Sequence, residues 1–245
     1  MPPVSAPRLI LVEPQIPGNL GFAARLVENF GVEDWVQVRG AEWRGSEAER
    51  TGAMALSALD RLRRADDLAA AAAGCSHLVG FTARAGRHRQ PAPLAALGAL
   101  RREWGPEARV GLVFGREDRG LETEETEACA ALLTIPTAGF SSLNLSHAVA
   151  VALYEWGRAE GAGAGGEEAA DPAAEAVWAT EEDRRRLAAK AAEELAAAGY
   201  PDRGEELPAV LRRLTARPLE ARDLRVLERI VRHAAWRREN GPGGG

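Results

Sequence analysis

The sequence predicts an α/β protein that is built on a parallel β-sheet. Short apolar runs, which are typical of buried strands, recur through the first part of the chain, and helix-like segments separate them. This alternation is characteristic of βαβ units, in which helices cover both faces of a parallel sheet. With 245 residues, 46% of them hydrophobic, the chain can bury one sizeable core and still carry a smaller appended unit.

The individual elements follow from these patterns. Strands are predicted at residues 9–12, 35–38, 77–81, 110–114 and 132–135. Helices are predicted between and after them at residues 20–30, 46–59, 93–104, 122–131 and 143–158.

A change in composition divides the chain into two units. Residues 159–176 are rich in Gly, Ala and acidic residues and have no strand pattern, so they are predicted to form a flexible linker. Residues 1–158 then form the α/β domain, and residues 177–245 form a small helical extension. Thr180 is predicted to cap the first helix of the extension, and Gly199 is predicted to end it.

The basic charge is concentrated in the C-terminal extension. The whole chain has a net charge of −5, which argues mildly against a nucleic-acid binder. Residues 207–245, however, contain nine arginines and four acidic residues, a surplus of five positive charges. The extension is therefore predicted to contact phosphate groups.

Composition also argues against several classes of protein. The chain has no apolar run of about eighteen residues and no secretion-signal pattern at its N-terminus, which predicts a cytoplasmic protein without a membrane segment. Cys75 and Cys129 form no CxxC motif and no Cys/His cluster, so neither a disulfide framework nor a metal site is predicted. Both cysteines are interpreted as small buried hydrophobic residues.

Three loops combine glycines with polar residues, and each follows a predicted strand at the sheet edge where ligands bind in open parallel sheets. They span residues 13–25, 113–121 and 135–145. Each also has a plain structural interpretation, as a capped helix with a solvated arginine, a solvated turn and a second helix cap. A hydrolase built on Ser142 and His147 is disfavoured, because no GxSxG motif is present and the two residues fall on different helical faces.

Taken together, the three loops resemble the ordered motifs of the SPOUT superfamily, in its TrmH-like branch of RNA 2′-O-methyltransferases. The first motif is Asn-x-Gly-x-x-x-Arg at residues 19–25, the second is Phe-Gly-x-Glu-x-x-Gly-Leu at 114–121, and the third is Ser-Leu-Asn at 142–144. Residues 74–84 and the helical segment 211–224 are similar to the TrmJ family within this branch. The resemblance covers essentially the whole chain.

The resemblance implies a parallel sheet with a C-terminal trefoil knot, a rare arrangement, and S-adenosylmethionine as the cofactor held by the knot loops. It also implies that a homodimer without metal methylates the ribose of nucleotide 32 in the anticodon loop of tRNA. The residues that match the cofactor-binding positions are Phe81, Thr82, Ala83, Gly115, Ile135, Ser141, Ser142 and Leu143. Two alternatives are a SPOUT enzyme that acts on rRNA and a catalytically silent RNA-binding module.

Four residues match the catalytic positions of the family: Arg25, Glu117, Ser142 and Asn144. A guanidinium stays protonated in proteins, so Arg25 is interpreted as an electrostatic organiser that binds phosphate and stabilises a developing 2′-alkoxide. Glu117 is expected to orient the guanidinium of Arg25. Ser142 and Asn144 are expected to position the loop around the reacting centre.

The residues expected to bind RNA are mostly arginines. They belong to the first motif, to the loop after the predicted strand at residues 77–81, and to the extension. They are Asn19, Arg84, Arg87, Arg89, Arg212 and Arg213. A solvated basic loop is the alternative for the middle group. His77 and His233 are interpreted as structural residues, and the six tryptophans as packing residues.

Overall fold

A computed structural model describes most of the chain, namely residues 6–84, 90–140, 142–161, 177–200 and 206–240. The strands within these residues are β1 (Arg8–Val12), β2 (Trp35–Val38), β3 (Arg63–Ala65), β4 (His77–Phe81), β5 (Ala92–Pro93), β6 (Val110–Phe114) and β7 (Ala131–Thr134). They form one sheet in the order β3-β2-β1-β6-β4-β7-β5, and every pair of neighbours is parallel. The predicted α/β fold with a parallel sheet is confirmed.

The sheet contains the five predicted strands and two more. β2, β4 and β6 have the predicted bounds, because their residues are all buried and nearly all apolar. β3 and β5 were not predicted. β3 is a short, largely exposed Arg-Arg-Ala strand, and β5 has two residues, one of them a proline, which is tolerated at a sheet edge.

The helices differ from the predictions mainly at their ends. They are α1 (Pro17–Asn29), α2 (Glu47–Gly52), α3 (Leu56–Arg61), α4 (Leu68–Ala72), α5 (Leu97–Trp104), α6 (Thr123–Ala128), α7 (Leu145–Gly161), α8 (Glu181–Ala197), α9 (Glu206–Thr215) and α10 (Ala221–Asn240). The single helix predicted at residues 46–59 is divided, because the backbone leaves helical geometry at Ala53, directly after Gly52. The short helix α4 was not predicted.

Two apolar layers cover the two faces of the sheet. Leu9 and Leu11 of β1 belong to one layer, and Ile10 and Val12 belong to the other, as side-chain alternation along a strand requires. Helices α1, α3, α5 and α7 cover the first face, and α4 and α6 cover the second. Both cysteines lie in the second layer as free thiols, which confirms that they are small buried hydrophobic residues.

The C-terminal extension packs on the end of the sheet opposite the three motif loops. The indole of Trp178 donates a 2.6 Å hydrogen bond to the carbonyl of Trp104, and the buried Arg184 donates to the carbonyl of Ser76, next to β4. Thr180 caps α8 and Gly199, with φ +74°, follows its end, so both predictions for this helix are confirmed.

The proposed domain boundary lies between α7 and Trp178. Helix α7 continues to Gly161, so the first three residues of the predicted linker are helical. The rest of the linker, residues 162–176, lies outside the described residues. In the described part of the chain, no helix is both long and apolar enough to cross a membrane.

Candidate active site

The three motif loops meet at the carboxyl edge of the sheet. The first two follow β1 and β6, which are adjacent strands, and the third follows β7. The loops are far apart in the sequence, since the side chains that join them are separated by 98 to 125 positions. The topology therefore creates one site from three distant segments.

Glu117 of the second loop binds the beginning of α1. Its carboxylate accepts hydrogen bonds from the backbone N–H of Gln15 at 2.8 Å and of Ile16 at 3.2 Å, and from the Asn19 amide at 2.9 Å. Ile16 occupies the N-cap position and has no side-chain oxygen to cap the helix, so the carboxylate of Glu117 supplies a cap from another loop.

The expectation that Glu117 orients Arg25 is wrong within this chain. Glu117 binds α1 at its N-terminal end, while Arg25 lies two turns further along the same helix. Arg25 makes no hydrogen bond or ion pair with any residue that the structure describes. Glu117 therefore positions the whole helix and not the guanidinium.

Asn19 links the first loop to the other two. Its amide donates to Glu117, and its side-chain oxygen accepts a 2.9 Å hydrogen bond from Asn144 of the third loop. Asn144 in turn accepts from the backbone N–H and the hydroxyl of Ser146, at 2.9 and 2.7 Å, and so caps α7. Asn19 is only 3% exposed, so the expectation that it contacts RNA is wrong.

The glycine of the first motif lets α1 and α2 approach each other closely. Gly21 lies inside α1, and a Cβ at this position would be 2.1 Å from the Thr51 hydroxyl and 2.3 Å from the Ala48 carbonyl oxygen. Thr51 itself donates a 2.9 Å hydrogen bond to the carbonyl of Gly18. The motif residues between Asn19 and Arg25 thus fix the helix on which Arg25 is carried.

Arg25 is exposed and lines a cavity of about 440 Å³ together with Phe22, Asn144 and His147. The structure therefore brings two of the four predicted catalytic residues, Arg25 and Asn144, to the same cavity. Ser142 lies on a neighbouring cavity, which is separated from the first by the start of α7.

The second cavity, of about 470 Å³, collects the predicted cofactor-binding residues. It is lined by Phe81, Thr82, Ala83, Gly115, Ile135, Ser142 and Leu143, among others. The eighth predicted residue, Ser141, lies outside the described residues. Apolar side chains and hydroxyl groups lie side by side here, and the volume falls within the usual range of small-molecule sites.

The residues present fit S-adenosylmethionine. Phe81 and Phe114 stack at 4.5 Å between ring centroids, and with Ile135 and Leu143 they offer apolar contacts for an adenine. Gly115 is required by the cavity wall, because a Cβ there would lie 2.2 Å from the backbone of Gly120.

Three charged residues of the site were not singled out by the sequence patterns. Arg116, whose side chain is 2% exposed, is paired with Glu13 at 2.7 Å and with Glu125 at 3.0 Å. The available signal was a charged residue directly after the glycine that ends a buried strand. The carboxylates raise the pKa of Arg116 above its usual value, and the hydrogen bond from Arg116 lowers the pKa of Glu13.

The predicted RNA-binding arginines have different surroundings. Arg84 is exposed and lines the cavity of about 470 Å³. Arg212 is exposed on α9, but Arg213 forms a 3.2 Å ion pair with Glu127 of α6 and holds the extension to the α/β domain. Arg213 is therefore not a free cation for RNA, contrary to expectation. Arg87 and Arg89 lie outside the described residues.

The described residues contain no group of three or more His, Cys, Asp or Glu side chains that could hold a metal ion. A parallel sheet with the three motif loops joined beside a cofactor-sized cavity is the arrangement that the resemblance to the SPOUT class of methyltransferases implies. The profile of the SpoU rRNA Methylase family matches residues 6–154. The chain belongs to this family, and within it to the TrmJ group, as a TrmJ relative that matches 91% of the chain shows.

Two relatives and one solved structure illustrate the similarity. The tRNA (cytidine/uridine/adenosine-2′-O-)-methyltransferase TrmJ of Pseudomonas aeruginosa is 36% identical over 60% of this chain and 59% of its own length, so the match spans less than two thirds of that relative. The tRNA (cytidine/uridine-2′-O-)-methyltransferase TrmJ of Klebsiella pneumoniae is 33% identical over 91% of this chain and 94% of its own. The crystal structure of TrmJ from Z. mobilis ZM4 has a TM-score of 0.77 at 28% identity and covers 94% of this chain and 99% of that one.

Proposed function

We propose that this chain is an S-adenosylmethionine-dependent 2′-O-methyltransferase that acts on tRNA, at nucleotide 32 of the anticodon loop. The observation that carries the proposal is the hydrogen-bonded series Glu117–Asn19–Asn144. It joins the three motif loops between the cavity lined by Arg25 and the cavity lined by Gly115 and Ser142.

The cavity of about 470 Å³ is the proposed donor site. Phe81, Thr82, Ala83, Gly115, Ile135, Ser141, Ser142 and Leu143 would hold the donor. When bound, S-adenosylmethionine supplies an electrophilic methyl group on a sulfonium. No covalent enzyme intermediate or metal is needed, so the protein must orient the ribose hydroxyl, and the proton of that hydroxyl must leave.

Arg25 is the proposed organiser of the substrate. Its guanidinium has five N–H donors and no acceptor, so it binds the phosphate beside the reacting ribose and stabilises negative charge on the 2′-oxygen. The absence of a protein partner among the described residues leaves these donors available for RNA. Glu117 and Asn144 hold the helices that border this cavity, and Ser142 lies on the donor side.

The tRNA substrate is proposed from two independent features. The relative and the solved structure that match this chain almost throughout are both TrmJ proteins, and the Klebsiella relative acts on tRNA by name. The helical extension also carries the surplus of arginines, including the exposed Arg212. Arg84, Arg87 and Arg89 are proposed to add contacts beside the donor site. A cytoplasmic location belongs to the same proposal.

A homodimer and a trefoil knot complete the proposal. Phe22 on α1 and Tyr154 on α7 are 45% and 62% exposed, and these two helices pack together, so apolar surface is available beside Arg25. A second copy bound to this surface would add its own arginines to the RNA-binding surface, which is small in a single chain. The knot is proposed from the family membership of the chain, with the third motif loop as part of it.

Methyl transfer to competing RNAs tests the proposal. Purified protein is incubated in EDTA with labelled S-adenosylmethionine and either unmodified tRNA or rRNA. We expect labelled tRNA and no labelled rRNA. Labelled rRNA alone would support the alternative that the family description suggests, an rRNA enzyme. Binding of donor and RNA without any transfer would indicate a catalytically silent RNA-binding module, and loss of transfer in EDTA would contradict the metal-free mechanism.

A further inference from the structure

Arg116 is a buried cation beside the donor cavity, and it has three carboxylate neighbours, Glu13, Glu122 and Glu125, of which Glu13 and Glu125 are the closest. Its Nε atom lies 2.7 Å from Glu13, its Nη1 atom lies 3.0 Å from Glu125, and its side chain is 2% exposed. It also contributes to the cavity of about 470 Å³. Its neighbour in the chain, Glu117, points instead to the beginning of α1.

The two hydrogen-bonded partners, Glu13 and Glu125, belong to different parts of the site. Glu13 follows β1, and Glu125 lies in the first turn of α6, where it also accepts a 2.7 Å hydrogen bond from the Glu122 N–H. Arg116 follows β6. The ion pairs therefore join the ends of two adjacent strands to the start of the next helix.

Glu13 has a strained backbone that the ion pairs help to hold. Its φ is +46°, and that of Arg39, with which it forms a 2.6 Å ion pair, is +49°. Among the described residues these are the only two non-glycine residues whose φ lies in the left-handed region. Such strain costs free energy and persists where the surrounding contacts impose it, often at functional sites.

The backbone transmits the position of Arg116 to Glu117. Arg116 and Gly120 exchange two backbone hydrogen bonds, of 3.2 and 2.8 Å, which close a tight turn that begins at Arg116. Glu117 is the next residue in this turn. Fixing Arg116 at its side chain and its backbone therefore fixes the point from which Glu117 reaches Gln15, Ile16 and Asn19.

Stability alone is a weak reason for such a residue. Replacing buried ion pairs by apolar residues is often neutral or stabilising, because the desolvation of the charges offsets their attraction. We propose that Arg116 is a positioning residue for methyl transfer, which fixes the loop at residues 115–120 so that Glu117 caps the helix that carries Arg25. The effect on transfer rests on the proposed function, whereas the effect on Glu117 does not.

Two variants test the proposal, and each of them removes a mostly buried arginine that is paired with a carboxylate. Arg116→Met keeps an unbranched side chain in place of the aliphatic part of the arginine and removes its ion pairs. Arg8→Met is the control, because Arg8 is an 18% exposed arginine that pairs with Asp34 and with backbone carbonyls at the opposite end of β1. We expect Arg116→Met to lower the single-turnover rate at saturating tRNA and donor by about tenfold to a hundredfold, the usual cost of misplacing reacting groups. Arg8→Met should lower the free energy of unfolding but leave this rate within about twofold.

Amide hydrogen exchange provides a readout that does not depend on activity. The N–H groups of Gln15 and Ile16 should exchange about tenfold faster or more in Arg116→Met, as expected when a hydrogen bond to a charged group is lost, and at the original rate in Arg8→Met. Arg116→Lys keeps the positive charge but lacks the planar set of N–H donors of the guanidinium. It should give intermediate values for both the exchange rate and the transfer rate.

Unchanged exchange at Gln15 and Ile16 in Arg116→Met would overturn the proposal, whatever the rate. Faster exchange with a normal transfer rate would also overturn it, since Glu117 would then be displaced without consequence. If the original protein transfers no methyl group to any RNA, the proposed function fails, and the exchange measurement still decides whether Arg116 positions Glu117. Should Arg116→Met fail to fold, Arg116→Lys carries the same two tests.

Discussion

The side-chain amide of Asn144 donates a 2.9 Å hydrogen bond to the side-chain oxygen of Asn19, which lies 125 positions earlier in the chain. The amide of Asn19 in turn donates a hydrogen bond to Glu117, so one buried amide holds the three motif loops together. The geometry of the site therefore depends on a residue that touches neither proposed cavity. Most of the predictions below follow from this arrangement.

Asn19→Asp should be more damaging than Asn19→Ala at neutral pH. The aspartate would place a second carboxylate next to Glu117, where an amide now donates at 2.9 Å, and like charges at this distance repel. Asn19→Ala only removes the connection and leaves polar groups unpaired, at a cost of about 1–3 kcal/mol. Urea unfolding at pH 8 and pH 5 measures both. The Asp variant should recover part of its loss at pH 5, where one carboxylate takes up a proton, and equal losses at both pH values would refute this account.

Gly115→Ala should prevent donor binding. The added Cβ would lie 2.2 Å from the backbone of Gly120, so the turn that walls the cavity would have to move. Gly139→Ala is the matched control in the third loop, because a Cβ there meets nothing within 4 Å. Calorimetric titration with S-adenosylmethionine should give no binding for the first variant and an unchanged affinity for the second. Tight binding by Gly115→Ala would mean that the donor occupies another site.

Arg212 and Arg213 should behave differently although they are adjacent. Arg212→Ala removes an exposed cation and should reduce the slope of log affinity against log salt for tRNA by about one unit. Arg213→Ala removes an ion pair with Glu127 and should leave that slope unchanged while loosening the extension. Binding titrations over a range of salt concentrations compare the two. A reduced slope in Arg213→Ala would show that this arginine contacts phosphate after all.

His77 should make folding stability depend on pH. Burial, reinforced by the charge of Arg184, lowers the pKa of His77 to about 3, while an unfolded chain titrates near pH 6.5. Between these values the unfolded chain binds one more proton, so the free energy of unfolding should fall as the pH falls, by up to about 1.4 kcal/mol per pH unit.

His77→Phe should remove this contribution. It keeps a ring between Trp104 and Trp178, and Ser76 retains its hydrogen bonds to the backbone of Arg109. The exposed His233, changed in the same way, is the control. The two variants are compared by urea unfolding at several pH values, and a slope in His77→Phe equal to that of the original protein would contradict the assignment.

The sequence predicts those parts of the fold in which each residue is chosen by its immediate surroundings. β2, β4 and β6 were predicted with their observed bounds because every residue in them is buried. β3 was missed because an exposed Arg-Arg-Ala strand depends on its neighbour for its conformation. The beginning of α1 lies earlier than predicted for a similar reason, since Glu117 and not a local residue caps its first turn.

The candidate site was also predictable from the sequence only in part. The motifs predicted residues around both cavities, because the loops follow strands that the apolar runs of the sequence predict. The roles of Asn19, Glu117 and Arg116 were not predictable, because their partners lie on loops that are distant in sequence and meet only when the sheet is assembled. The sequence therefore identified Asn19 and Glu117 but not their contacts, and it did not single out Arg116.

Arg25 carries the central claim, since it is the residue assigned to the reacting ribose. The decisive measurement is the single-turnover methylation of unmodified tRNA at saturating tRNA and donor, with the product mapped by mass spectrometry. The original protein should place a 2′-O-methyl group on nucleotide 32. Arg25→Ala should lose this reaction while binding S-adenosylmethionine normally. Arg25→Lys should lose most of the reaction, because a lysine keeps the charge but lacks the planar set of N–H donors of the guanidinium. Transfer by Arg25→Ala at the original rate, or a methyl group on a base instead of the ribose, would contradict the account.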